Sequence, residues 1–236
     1  MTSTADTRPR EVLVRVHYPV AAGRLVLRGD ADWAADIEAR ALTENDQCAE
    51  FRLPIDGPFH YFKPVLQINN ALHWSQGKNY LVLAHGPTVR DIYPHFFDDG
   101  GCTVCELQAL AKPDASAPYK YRVFTPPGYA ENTLKRYPVL YLQDGQNVFF
   151  PSATPGGADW QIQETLGVLN DMSAIDKVIA VGIYPRDREQ DYTKSGYEAY
   201  GQFVAQRLKP HVDATLRTLG GPEDTAVMGA SLGGVV

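Results

Sequence analysis

The residues with the plainest chemical meaning stand near the end of the chain, as Gly229-Ala230-Ser231-Leu232-Gly233. A G-x-S-x-G run is the pattern of a nucleophile elbow, in which a serine sits on a sharp strand-to-helix turn. Glycines on both sides remove the Cβ atoms that would clash in so tight a bend. The serine hydroxyl then stands clear at the carboxyl edge of a sheet. The amide of the next residue, Leu232, points at the charge that develops on an attacked carbonyl. The chemistry on offer is nucleophilic acyl transfer. With 20 glycines in 236 residues, the pattern alone is weak, and its bland alternative is a glycine-rich turn with an unremarkable serine. Its surroundings strengthen it, because an apolar stretch at 226–228 leads in and Gly234-Val235-Val236 can begin a helix.

A second segment fits the same chemistry. Val139-Leu140-Tyr141-Leu142 reads as a buried strand that ends in the polar loop Gln143-Asp144-Gly145-Gln146-Asn147. The loop after such a strand supplies the other oxyanion amide, and the backbone N–H of Gln146 is the candidate. The side chains of Gln143 and Asp144 are read as turn-formers bonded within their own loop.

The elements that must position these residues change character along the chain. Up to residue 97 the sequence shows short runs such as 12–16, 25–27, 61–68 and 80–83, with turn residues every 8–12 positions and no helical period. That pattern predicts a small all-β sandwich over 11–97, after a flexible N-terminus at 1–10. Asp98-Asp99-Gly100-Gly101 and 112–118 have linker composition, so 98–118 is expected to connect two domains. From 119 onward, the continuous apolar runs 139–142 and 178–183 suit parallel strands buried on both faces. Apolar residues at helical spacing fill 165–169 and 197–216, with Pro210 expected to kink or divide the latter helix. The fold class is therefore an N-terminal β-sandwich followed by an α/β domain over 119–236.

Composition narrows the function. Hydrophobic residues at 44% and charged residues at 21% are those of a globular chain. The net charge of −6 gives nucleic-acid binding no electrostatic support, and no uncharged apolar run approaches the ~20 residues of a membrane helix. The polar start lacks the apolar region of a signal peptide, which gives the expectation of a cytoplasmic protein. Cys102 and Cys105 form a C-x-x-C, but no second pair follows to complete a structural zinc site, and the glycines before them suggest a loop rather than a redox motif. No cofactor is expected.

Residues 119–236 resemble the putative-esterase family of α/β-hydrolases, which includes esterase D and the enterochelin esterases. The matching pieces are 121–127 with Gly128-Tyr129, Arg136-Tyr137-Pro138-Val139-Leu140-Tyr141, Asp144-Gly145-Gln146-Asn147, Arg188-Glu189 with Tyr192-Thr193, and 229–233. The resemblance implies a serine carboxylic-ester hydrolase with a Ser-Asp/Glu-His triad, in which Ser231 is the nucleophile and the substrate is a small-molecule or carbohydrate ester. An acyltransferase is a close variant. In this fold the acid and the histidine follow the nucleophile, yet only five residues follow Ser231 and none is Asp, Glu or His. His211 lies upstream on the long helix and is read as a solvated helix histidine. The sequence is thus expected to be the front part of a longer enzyme, inactive by itself.

Residues 11–84 resemble starch-binding-type carbohydrate modules of the twenty or forty-eight family kind, through Leu25-Val26-Leu27-Arg28-Gly29-Asp30 with Trp33, through 59–66, and through 73–80. By position, Trp33, Lys63 and Trp74 match the sugar platform of those modules. An indole stacks on the apolar side of a pyranose while an ammonium donates to a hydroxyl. Half-buried core tryptophans and interdomain packing are the competing reading. Arg186 and Arg188 follow the strand that ends at Ile183 and could meet an anionic substrate, or could pair with Asp187, Glu189 or Asp191. The rival function is a carbohydrate-binding protein with a degenerate hydrolase domain.

Overall fold

The structure is a computed structural model that describes residues 10–42, 47–98, 101–111, 117–172, 174–193 and 196–236. The chain divides into two compact units, Met1–Asp99 with Gly128–Lys135, and Gly100–Pro127 with Arg136–Val236. The expected flexible N-terminus, apart from Arg10, and the run 112–116 of the expected linker lie outside the described residues.

Among the described residues the first unit has nine strands: β1 (Arg10–His17), β2 (Arg24–Gly29), β3 (Asp32–Glu38), β4 (Ala41–Leu42), β5 (Cys48–Ile55), β6 (Phe59–Ile68), β7 (Ala71–Trp74), β8 (Tyr80–Leu83) and β9 (Val89–Ile92). They form a sheet of order β4-β5-β1-β9 and a second of order β3-β2-β6-β7, with β8 also paired to β6. Alternation decides which face is covered. Val12, Val14 and Val16 are fully buried, while Glu11, Leu13, Arg15 and His17 between and beside them are not. The buried side chains of β1 and β5 share one core with Leu25, Leu27, Phe62, Leu66 and Val82 of the other sheet. The β6–β7 hairpin turns on Asn69 and Asn70, at φ +48° and +65°, the geometry a two-residue hairpin loop demands.

One segment departs from the expected domain limits. Gly128–Lys135 falls within the expected α/β range 119–236, yet it packs with the first unit. Its Glu131 carboxylate accepts the backbone N–H groups of Phe96 (2.7 Å), Phe97 (2.9 Å) and Asp98 (2.7 Å), and the Tyr18 hydroxyl (2.8 Å). Asn132 donates to the carbonyls of His17 and Pro94. Two polar side chains thus satisfy backbone groups that no strand pairs.

The second unit is a mixed α/β region. Its strands are β10 (Thr103–Val104), β11 (Gln108–Leu110), β12 (Tyr119–Thr125), β13 (Val139–Leu142), β14 (Ile179–Tyr184) and β15 (Thr225–Met228), in the order β10-β12-β14-β13-β15, with β11 also on β12. The short strands β10 and β11 correct the expected linker at 98–118. They pair Thr103 with Thr125 and Gln108 with Tyr121, so a neighbouring strand rather than intrinsic propensity makes them extended. The apolar runs of β13 and β14 pair in parallel, and their side chains are almost wholly buried. Leu166 of helix α1 (Ile162–Asp171) covers one face with Phe124, Leu142 and Ala180. Helix α2 (Arg188–Thr193) follows β14. The rings of Tyr200 and Phe203, on helix α3 (Tyr197–Phe203), pack on Tyr119.

The long helix expected at 197–216 is divided. A π-type turn at Val204–Leu208 separates α3 from α4 (Lys209–Thr215), and Pro210 lies in the first turn of α4, where its missing N–H costs least. Cys102 donates to the carbonyl of Gln163, and Cys105 accepts the Val123 N–H. No metal-holding cluster occurs among the described residues, and no helix there is long and apolar enough to cross a membrane.

Strand order sets the place of the site. From β13 the chain passes through α1 to β14 on one side, then returns through α2 to α4 and lays β15 on the other side of β13. The order reverses at β13, and ligands of open α/β sheets bind beyond the carboxyl ends at such a reversal.

Candidate active site

Two loops leave the sheet side by side at that point. β13 and β15 run in parallel with Leu142 opposite Met228, and the Gln143 N–H continues the ladder to the Met228 carbonyl at 2.9 Å. After β15 the chain turns within three residues into a single 3-10 turn, Ser231–Gly234. Ser231 is exposed and adopts φ +54°, a left-handed conformation that side chains rarely take. The bend depends on its glycines. A Cβ on Gly229 would overlap the backbone carbonyl of Gly233, and one on Gly233 would lie 2.9 Å from Asp144 Oδ2 and 3.1 Å from Gln143 Cβ. The bend after β15 is therefore packed directly against the loop after β13.

That loop is strained in the same sense. Asp144 has φ +56°, and a 3-10 turn follows at Gly145–Asn147. A Cβ on Gly145 would meet the Gly182 backbone of β14 at 2.6 Å. The Asn147 N–H caps the bend on the Asp144 carbonyl at 2.8 Å. The backbone N–H groups of Gln146 and Leu232, one in each turn, have no acceptor among the described residues.

Asp144 does not confine its bonds to its own loop. Its carboxylate, 1% exposed, receives Arg188 Nε at 2.8 Å and Nη2 at 2.9 Å. Only the 3.3 Å contact from the Gln146 side chain is local. The Asp144 N–H donates to the Tyr192 hydroxyl at 3.0 Å. Gln143 is buried and accepts the Tyr200 hydroxyl. Burial pushes the Tyr192 hydroxyl up to about 12, so it stays protonated. The hydrogen bond to Asp144 holds Arg188 above its ordinary value.

These contacts correct two expectations and agree with a third. Arg188 pairs with Asp144, 44 positions away, and not with its neighbours Asp187, Glu189 or Asp191. Arg186 does pair with Asp191, through its backbone N–H at 2.9 Å and its guanidinium at 3.5 Å, and stacks on Tyr119. His211 is not simply solvated, because its Nε2 meets the Tyr121 hydroxyl at 2.9 Å. Tyr192 stands in the sequence among the pieces of the family resemblance without a role of its own, and its place four residues after Arg188 on one helix face is the further signal.

In the β unit the three other candidates lie on one sheet. The Trp33 and Trp74 rings are 6.3 Å apart, inclined at 49°, and each residue is 36% exposed. Lys63 donates to the Gly77 carbonyl at 2.8 Å, and the Arg28 guanidinium lies 5.6 Å from the Trp74 ring centre.

Residues 115–236, more than half of the chain, match the model of the family described as Putative esterase. Among solved structures, the chain is similar to an IroE-like serine hydrolase from Shewanella oneidensis, at 28% identity and TM-score 0.46 over 55% of this chain and 43% of that one. It is also similar to a ferulic acid esterase from Anaeromyces mucronatus, at 19% identity and TM-score 0.43 over 56% and 51%. The third is the enterobactin and salmochelin hydrolase IroE, at 19% identity and TM-score 0.41 over 58% and 57%. The chain spans about half the length of these structures. No curated protein matches it. Through residues 115–236 the chain belongs to the putative esterase family of α/β-hydrolases.

Proposed function

We propose that this chain carries the nucleophile of a serine carboxylic-ester hydrolase acting on a small-molecule or carbohydrate ester. The Ser231 oxygen attacks the ester carbonyl, and the amide N–H groups of Leu232 and Gln146 receive the charge that moves onto the carbonyl oxygen. The serine proton passes to a histidine acting as general base and then to the departing alcohol. Water, activated by the same histidine, next cleaves the acyl-enzyme and restores the serine. A sugar hydroxyl in place of that water would make the enzyme an acyltransferase. No cofactor is needed for either course.

The observation that carries this reading is an exposed serine at φ +54° on the bend after a parallel strand, packed against the loop that bears Gln146. Its test uses protein expressed from the full reading frame, treated with a fluorophosphonate probe and assayed on p-nitrophenyl esters. Labelling and hydrolysis should both vanish in Ser231→Ala. A wild type that neither labels nor hydrolyses would end the reading.

A second reading concerns the β unit, where the exposed Trp33–Trp74 pair and Lys63 form an aromatic face with an ammonium on the same sheet. Such a face suits a glucan chain. Retention on amylose that falls in Trp74→Ala supports it, and a wild type that is not retained refutes it.

A further inference from the structure

We infer that Arg188 is a positioning residue that clamps the loop after β13 to the bend after β15, and so fixes the Gln146 and Leu232 amides relative to each other. The inference rests on the reading of Ser231 as the nucleophile. The two amides belong to different loops, and a shared oxyanion needs both donors in one frame. Backbone pairing carries the frame only as far as the Gln143 N–H and the Met228 carbonyl. Past that point the chains diverge into separate turns.

Arg188 bridges them. Its Nε and Nη2 grip both oxygens of Asp144, and the same Nη2 reaches the Ala230 carbonyl at 3.4 Å, one residue before Ser231. Asp144 in turn lies against Gly233 on the far side of Ser231, where only a glycine leaves room for its Oδ2. The ion pair therefore touches the bend both before and after the serine. Helix α2 sends a second group to the same loop, since the Tyr192 hydroxyl accepts the Asp144 N–H. Residues four apart on one helix thus hold the side chain and the backbone of one strained residue. A carboxylate this deeply buried requires a partner, and a planar fork fixes orientation as well as charge.

The same geometry reassigns the arginine. Its Nε and Nη2 are committed to Asp144, and its charge is balanced there, which leaves a poor receptor for an anionic substrate. Its contribution is to the placement of donors, and an error of about 1 Å in such placement costs on the order of 100-fold in rate.

The test compares wild type, Arg188→Met, Arg188→Lys and Arg188→Ala, each expressed from the full reading frame. Arg188→Met should lower kcat on p-nitrophenyl acetate roughly 30- to 100-fold, with KM changed less than about twofold. Amide exchange in 143–147 and in 229–233 should accelerate together, about tenfold or more. Arg188→Lys keeps a counter-ion for Asp144, so it folds even where Arg188→Met does not. It too must lose kcat, because a point charge cannot grip both oxygens. Added guanidinium ion should restore part of kcat to Arg188→Ala. An unchanged kcat, a change confined to KM, or protection lost in only one of the two loops would overturn the clamp. A wild type without esterase activity defeats the hydrolase reading instead, and the exchange measurement still decides whether the clamp exists.

Discussion

Strained turns occur in both units with similar backbone φ angles, and they differ in what imposes them. Asn69 and Asn70 take φ +48° and +65° between β6 and β7, while Asp144 and Ser231 take +56° and +54° after β13 and β15. Asparagine enters the left-handed region readily, because its side chain bonds to nearby backbone. The hairpin therefore follows from its own two residues. Serine has no such preference, and a left-handed residue with a Cβ costs about 1–2 kcal/mol. At Ser231 that strain is imposed from outside, by the close approach of Gly229 to Gly233 and by the Asp144 loop packed on the bend. Strain that a residue chooses marks a turn. Strain that neighbours impose, next to an exposed hydroxyl, marks a site.

The largest test of that distinction is Gly229→Ala. The added Cβ would collide with the Gly233 carbonyl, and backbone, unlike a side chain, cannot swing away. The α/β unit should lose about 3 kcal/mol or more, and phosphonate labelling should slow at least ~100-fold. Denaturant unfolding and labelling kinetics measure the two. Near-normal labelling would show that the bend does not depend on this approach.

In the β unit the comparable tertiary device is Glu131, which ties Tyr18 and residues 96–98 to the segment Gly128–Lys135. Burial raises its pKa, but the backbone N–H groups of Phe96, Phe97 and Asp98 and the Tyr18 hydroxyl outweigh that and hold it below the ordinary 4.5. A carboxylate depressed in the folded state adds stability that is present above the unfolded value and lost as pH falls through the folded one. Wild type should therefore weaken as pH drops below about 4.5. Glu131→Gln should cost about 2 kcal/mol at pH 7 and show a flatter acid dependence. Urea melts at pH 7 and pH 3.5 measure both. An unchanged acid slope would place the pH sensitivity elsewhere.

What could be read from the sequence follows the range of the forces involved. Apolar runs announced β13 and β14 because burial on both faces leaves no other composition possible. The glycine pattern of the bend after β15 is only partly local, because Gly229 answers to the nearby Gly233 while Gly233 makes room for Asp144 and Gln143 of another loop. The Arg188–Asp144 pair was not legible, since the topology chooses which two of many charges meet 44 positions apart. Nor were β10 and β11, which are extended only because β12 pairs with them. That Gly128–Lys135 belongs with the β unit is hidden for a similar reason. Nothing in its spacing shows that Glu131 accepts N–H groups from residues 96–98.

The smallest effects sharpen the comparison most, because one substitution can be placed in both turns. Ser231→Gly removes the Cβ from a left-handed position and relieves about 1–2 kcal/mol, less the ~0.5–1 kcal/mol that a new glycine adds to unfolded-chain entropy. The α/β unit should become more stable by about 0.5–1 kcal/mol while all labelling disappears, a trade that is common where function is held under strain. Asn70→Gly meets the same φ preference at a residue already suited to it. The entropic loss and the small gain should nearly cancel, leaving a change within about 0.5 kcal/mol. Thermal or urea unfolding of both variants against wild type decides the matter. If Asn70→Gly stabilises its unit as much as Ser231→Gly stabilises the other, the serine bears only ordinary turn strain, and the contacts around it need no functional explanation.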